Sequence, residues 1–338
     1  MTMLRNRSTL TLEAIREKPE LLFASEAVYK EAINTSDFPV LLRDGIQAIM
    51  FDSFAGINTT YQQIVDMVPS NRDEEVWTEL ERGGTLPIVP EGSPYPEFRY
   101  GMLPPRRIRN FKRGGILSFT EEMLRFDRTN QIRQWASDFG RQVAFTRESA
   151  LYSVLNTGGN YTQTSATNDI GNNTGGTTFG SEGLEVAWAT LTTMKDRTSG
   201  RYLGVMPDTI IVTPRLFPFA KQYFGSSENR PVSGANDTAS LGQGTMNPWR
   251  GVITNIIMSP FLGTSYQWVL MQGKRAVKWQ VVDDMQILFQ GAEGGQVSDA
   301  YFVYDVVRYR VRDFWGMGMY DDRFAYYSSS TAAPTAYT

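Results

Sequence analysis

The stretch PPRRIRNFKRGGILSFTEE, residues 104–122, decides how this chain is read. Pro104 and Pro105 forbid a helix at its start, because proline lacks the N–H that a helical turn requires. Ile108 to Phe119 is a strand-like run. Glu121 and Glu122 then follow Ser118 where the first turn of a helix favours acids. The stretch therefore predicts a strand that leads into a helix.

Upstream, residues 70–118 hold Gly83-Gly84, Pro87, Pro90, Gly92, Pro94 and Pro96, a composition of turns and extended chain. Val76-Trp77-Thr78-Glu79-Leu80 is a second strand-like run. Together they predict a long hairpin with a tip stiffened by prolines. Its limbs carry opposite charge. Asp73, Glu74, Glu75, Glu79 and Glu81 lie on the first; Arg99, Arg106, Arg107, Arg109, Lys112 and Arg113 lie on the second. Phe98, Tyr100 and Phe111 interleave with the basic limb, as in a single-strand nucleic-acid binder. Pairing with acids of its own or a neighbouring limb is favoured instead. The acidic limb repels phosphate within a Debye length of about 8–10 Å.

Further upstream, residues 1–37 look like an arm with a weakly periodic helix broken at Pro19. A helix starts near Ser36-Asp37, with Pro39 in its first turn. Leu41, Leu42, Ile46, Ile49, Met50 and Phe54 recur at helical spacing until Gly56. Downstream, a helix is predicted from about Thr129 to Asn156, roughly 40 Å long at its ordinary rise. Ile132, Trp135, Phe139, Val143, Ala150 and Val154 mark its apolar stripe. Residues 157–180, rich in Gly, Asn and Thr, read as a flexible surface loop whose segment 160–178 could be deleted.

An α/β pattern follows. It has a helix at Ser181–Arg197, a strand at Thr209–Thr213, a helix at Pro214–Phe224 and a polar loop over 225–246. Strands are predicted at Val252–Met258, Gln267–Met271, Ala276–Val282 and Gln286–Phe289. Two final strands are predicted at Tyr301–Val311 and Trp315–Tyr327. On the first, Val307, Tyr309 and Val311 share one face while Arg308, Arg310 and Arg312 share the other. Those arginines are expected to pair with Asp313, Asp321 or Asp322, as charges on a packed strand usually do. The tail from Ser328 is small and polar and is expected to be flexible.

Composition limits the chemistry. The 338 residues include no His and no Cys, so a Ser-His-Asp triad, a cysteine nucleophile and a His- or Cys-bearing metal site are excluded. The acid pairs Glu74-Glu75, Glu121-Glu122, Asp283-Asp284 and Asp321-Asp322 are adjacent residues that point apart, which is no catalytic dyad. No glycine pattern fits a phosphate loop. The net charge of −3 argues against a dedicated nucleic-acid binder. No run approaches the about 18 apolar residues of a membrane span.

The order of these features resembles the HK97-fold major capsid proteins of tailed phages, Mu-like major head subunits included. Thr35-Ser36-Asp37-Phe38-Pro39 is similar to that family's helix start. Tyr100-Gly101-Met102-Leu103 with Gly115-Ile116-Leu117-Ser118-Phe119-Thr120-Glu121-Glu122 resembles its second hairpin limb entering the spine helix. Asn247-Pro248-Trp249-Arg250-Gly251 resembles the turn before its central strands. Arg310-Val311-Arg312-Asp313-Phe314-Trp315-Gly316, with Asp321 and Arg323 after it, looks like its C-terminal strands.

The resemblance implies an α+β, HK97-like capsid fold. Residues 1–37 would be the N-terminal arm, 38–69 a helical segment leading to the E-loop, and 70–118 the extended β-hairpin E-loop. Residues 119–200 and 297–327 would form the peripheral domain around a spine helix at about 129–156. Residues 201–296 would form the α/β axial domain, and 328–338 a flexible tail. It implies a non-enzymatic subunit, without cofactor or metal, that assembles with itself into pentamers and hexamers of an icosahedral shell.

The shell would enclose double-stranded DNA with weak non-specific contact. It would use portal, scaffolding and decoration proteins, assemble in the bacterial host cytoplasm and end in the virion, with no membrane partner. An encapsulin-like nanocompartment is the alternative. Inter-subunit hairpin contacts are expected at Glu74, Glu75, Trp77, Glu79, Glu81, Arg99, Arg106, Arg107, Arg109, Lys112 and Arg113. Peripheral-domain contacts are expected at Arg308, Arg310, Arg312, Asp313, Asp321 and Arg323. Reversing Arg106, Arg107 and Arg109 to Glu should then leave a folded subunit that does not assemble.

Overall fold

A computed structural model of the chain describes residues 38–78, 86–97, 105–120, 122–123, 131–161, 173–196, 199–225, 249–263, 265–293, 296–297 and 299–334. The expected arm, Glu79, Glu81, Arg99, most of the 225–246 loop and residues 335–338 of the tail lie outside the described residues.

In chain order the elements are α1 (Phe38–Ala55), α2 (Tyr61–Ile64), β1 (Asp66–Pro69), β2 (Glu74–Trp77), β3 (Arg106–Arg109), β4 (Phe111–Thr120) and α3 (Gln131–Leu155). Then come β5 (Thr174–Gly175), α4 (Ser181–Thr192), β6 (Thr209–Val212), α5 (Phe217–Gly225), β7 (Asn255–Met258) and β8 (Trp268–Met271). The last are β9 (Val277–Gln290), β10 (Ala292–Glu293), β11 (Gln296–Val297), α6 (Asp299–Tyr304), β12 (Val306–Met319) and β13 (Ala325–Ser328).

The chain divides into two compact units. One comprises residues 1–59, 111–147 and 282–315; the other comprises 60–110, 148–281 and 316–338. These boundaries differ from the expected domains, since 148–200 falls with 201–281.

In the first unit, α1 buries Ile46, Ile49 and Met50, as their spacing predicts. They pack with Ile132 and Ala136 of α3, Phe119 of β4, Met285 of β9 and Val307, Tyr309 and Val311 of β12. A side chain on Gly140 would collide with the Met50 carbonyl, so glycine is what lets α1 and α3 approach so closely. The expected stripe on α3 holds at Ile132, Phe139 and Val143, which lie in or against the core. Trp135 departs from it: 40% exposed, it stacks on Phe119 at 6.2 Å, while Ala136 and Ala144 are fully buried.

β4 pairs antiparallel with β12 from Thr120↔Val306 to Phe111↔Trp315. The alternation on β12 is as predicted: Val307, Tyr309 and Val311 face the core and Arg310 is exposed. Two strand predictions change. β9 runs unbroken through Asp283 and Asp284 because each acid finds a cation: Arg312 at 2.9 Å and Arg147 at 2.5 Å. β12 likewise continues through Arg312–Phe314, its break coming only after Met319, and residues 301–304 are helical instead of extended. Gly316 is no turn residue. A Cβ there would sit 2.6 Å from the Arg109 carbonyl, so it allows close passage of β3.

The second unit is built on a five-stranded sheet, ordered β5-β13-β8-β6-β7. β6 and β8 are fully or almost fully buried throughout, the pattern of a strand covered on both faces. β6, α5 and β7 form a parallel crossover, as the α/β pattern predicts. The tail and the 157–180 loop are corrected by β13. Its last residue, Ser328, is fully buried and donates to the Thr177 carbonyl at 2.7 Å. β5, drawn from the Gly/Thr-rich stretch, pairs with β13. Tyr161 is buried and stacks on Tyr327 at 5.3 Å, and Phe179 is buried too. Deleting 160–178 would remove a strand and the core aromatic Tyr161. In the same unit Glu148 accepts from the backbone N–H of Thr60 and Tyr61, at 3.1 and 3.3 Å, which caps α2. Beside it, burial pushes the Tyr152 hydroxyl up to about 12.

Candidate functional site

The hairpin has two different ends. At its root, β2 and β3 pair antiparallel in the register Glu74↔Arg109, Glu75↔Ile108, Val76↔Arg107 and Trp77↔Arg106. This places acid against base, as expected, and Arg107 lies 3.9 Å from Glu74. Both side chains are largely exposed, so the pair adds about 0–1 kcal/mol. Glu75 accepts from Ser70 at 3.0 Å.

Trp77 is held within its own chain. Lys278 of β9 sits between its ring and that of Tyr320, at 4.2 and 4.6 Å from their centroids. The same ammonium reaches Asp66 at 3.0 Å. Gln280, fully buried, completes the root. With its amide oriented to satisfy both ends, it donates to the Ile108 carbonyl at 3.2 Å and accepts from the Trp77 indole N–H. Arg106 pairs with the buried Asp322 at 3.2 Å.

Asn110 closes the root. Its amide donates to the Arg72 carbonyl at 2.7 Å and to Ser70 at 3.0 Å. The second limb thus ends at Arg109, and the residues after Asn110 join β12. The limb predicted from Ile108 to Phe119 serves two partners.

The tip is bare. Leu86 is 82%, Ile88 95% and Tyr95 86% exposed. Gly92 has φ 79°, and Ser93 N–H donates to the Pro90 carbonyl at 3.1 Å, which is a type II turn. Prolines flank these apolar residues, and no described residue covers them. Such a surface is an interaction site or a liability.

The remaining expected contact residues divide in the same way. Arg113 folds back, 3.6 Å over the Trp315 ring and 2.9 Å from the Trp315 carbonyl. Burial lowers its pKa, an effect opposed by Asp313. Asp313 binds Arg147 through both its oxygens at 2.8 Å, and accepts from the Trp315 indole at 2.7 Å. Arg147 also holds Asp284. Partial burial alone would raise that carboxyl, but the Arg147 hydrogen bond, the Met285 N–H and the Arg147 charge outweigh it and lower its pKa.

Asp321 pairs with Arg323 at 2.8 Å, and Asp196 lies 3.4 Å from the same guanidinium. The expected pairing of Arg312 with Asp313, Asp321 or Asp322 does not occur, because those acids are taken by Arg147, Arg323 and Arg106. Lys112 and Arg310 are exposed and form no ion pair with a described residue, and Arg308 forms none either. Arg147, Asp196, Lys278, Gln280 and Asn110 escaped the sequence reading. Only the lone charge of Arg147 on an otherwise apolar helix face hinted at any of them.

Among the described residues no group of three or more acidic side chains is placed to hold a metal ion. No described helix is long and apolar enough to cross a membrane.

Residues 108–328 match a family model described as phage capsid protein. Among solved structures, the capsid of cyanophage P-SCSP1u is similar at a TM-score of 0.54 and 11% identity, over 82% of this chain and 89% of that one. Gordonia phage Cozz is similar at 0.50 and 13%, over 79% and 85%. Identities this low speak for the fold alone. Comparison with curated proteins finds no sequence match. The family match covers well over half of the chain, and the fold agrees with it: the chain belongs to the phage capsid protein family, with an HK97-like α+β fold.

Proposed function

We propose that the chain is the major capsid subunit of a tailed phage, forming pentamers and hexamers of an icosahedral shell around double-stranded DNA. The observation that carries this is the hairpin: fixed at its root, it presents Leu86, Ile88 and Tyr95 with no described residue covering them. Open lattices use such heterologous contacts, in which a feature of one subunit seats on a different surface of the next.

In this reading the hairpin at the start of the expected segment 70–118, its second limb ending at Arg109, is the E-loop, α3 is the spine helix, and the α/β part of the expected segment 201–296 that falls within 148–281 forms the axial domain. Glu75, Arg107 and Arg109, on the paired limbs of the hairpin, add to the contact, and Lys112 on β4 contributes separately. Trp77 and Arg106 act by holding the hairpin's base, and Arg113 acts within β4 and β12 by folding onto Trp315. In this reading the subunit performs no catalysis, and the buried acids Asp313, Asp321 and Asp322 serve to hold arginines. Its slight negative charge suits weak contact with packaged DNA. Portal, scaffolding and decoration proteins, and assembly in the host cytoplasm, complete the proposal.

Electron microscopy of the purified protein tests it. Closed particles of uniform diameter are expected. Discrete monomers at every concentration and salt would contradict it. Shells holding proteins in place of DNA inside the cell would favour the nanocompartment alternative.

A further inference from the structure

β4 is an edge strand, lying last in the order β1-β9-β12-β4. An edge leaves a row of backbone N–H and C=O groups without strand partners, and proteins ordinarily blunt it by shortness, proline, a bulge or charge. The other sheet edges follow that rule. β1 has four residues and ends in Pro69; β5 has two; β7 has four. β4 has ten residues and no proline, and it keeps a regular ladder with β12 throughout. Its free edge is about 33 Å long. Of its two cations, Arg113 is folded onto Trp315, which leaves Lys112. Ile116 is 62% exposed on the outer face, with the side-chain-free Gly114 beside it in that face.

An unblunted edge is tolerated where assembly covers it. We infer that β4 pairs antiparallel with β4 of a second copy across a two-fold axis, joining two sheets into one. This rests on the shell reading above and names one contact within it. β4 is open along its whole length, whereas β9 is covered by β1 over Lys278–Val281 and carries Asp283 and Asp284 just beyond; one isologous β4 contact satisfies both open edges at once. The register follows from charge and size. Centred on Gly115, it sets Lys112 opposite Ser118 of the other copy and Arg113 opposite Leu117, so no like charges meet. It also sets each exposed Ile116 opposite Gly114 of the other copy, where the bare backbone leaves room for it.

The cysteine-free sequence gives a clean test. The double variant Lys112→Cys/Ser118→Cys is assembled and mildly oxidised, then run on a non-reducing gel beside each single variant. Directly opposed strand residues bring Cβ atoms to about 4.5–5.5 Å, near enough to bridge. Within one strand the two positions are about 20 Å apart and cannot close on themselves. A covalent dimer from the double variant, and none from either single variant, is the expected result. Assembled shells that stay monomeric on the gel would overturn the pairing, as would equal cross-linking by a single variant. Failure of the unmodified chain to form shells would instead strike the reading on which the inference rests.

Discussion

The root and the tip of one hairpin both carry large side chains and treat them oppositely. At the root an aromatic ring, a lysine and an arginine each find partners: Trp77 on Lys278 and Tyr320, Arg106 on Asp322. At the tip, Leu86, Ile88 and Tyr95 find none among the described residues. A protein that only had to fold would gain by covering the tip, since each such side chain is worth about 1.5–3 kcal/mol when buried. The root therefore belongs to the stability of the subunit, and the tip to what the subunit meets. The same division separates Arg147, enclosed by two acids, from Arg310, which is open to solvent.

Removing a filled contact should cost most. Arg147→Ala leaves Asp313 buried with its bidentate partner gone, so stability should fall by about 3–5 kcal/mol in urea denaturation. A loss below about 1 kcal/mol would mean the pair is not the anchor described. Trp77→Ala should cost about 2–3 kcal/mol, because a half-buried ring and its cation contact are lost together. It should also loosen the hairpin base, seen as faster hydrogen exchange at β2 and β3 relative to β6.

Asp284 gives a smaller, pH-dependent effect. Its folded pKa is lowered, so its contribution is present above the ordinary carboxylate value near 4 and is lost as pH falls through the folded pKa. Asp284→Asn should flatten the acid limb of the stability curve slightly, the group being mostly exposed. An unchanged limb would remove Arg147–Asp284 from the account. The charge reversal of Arg106, Arg107 and Arg109 no longer isolates assembly, because it sets a carboxylate against Asp322; it now tests the root.

Local pattern showed α1, the β6–α5–β7 crossover and the inward face of β12, since each depends on residues a few positions apart. It failed where the partner is distant. Asp283-Asp284 looked like a break between strands because the cations that neutralise them, Arg312 and Arg147, lie far along the chain. The close passage of β3 against Gly316 was hidden too, because nothing local reveals it. Thr174 and Gly175 have loop composition, yet β13 recruits them as a strand. At the hairpin, the opposed charge of the limbs was legible, while the sorting of Trp77 and Arg106 to the root depended on Lys278, Tyr320 and Asp322. The bareness of the tip was implicit in its prolines, which hold a chain extended without letting it pack.

The most direct test of the central claim replaces Leu86, Ile88 and Tyr95 by Ser together and compares the variant with the unmodified chain by denaturation and electron microscopy. The account predicts a midpoint within about 0.5 kcal/mol of the original, because exposed residues contribute little to folding, and no closed particles. Normal particles from the triple variant would contradict the claim that the tip is what one subunit offers to the next.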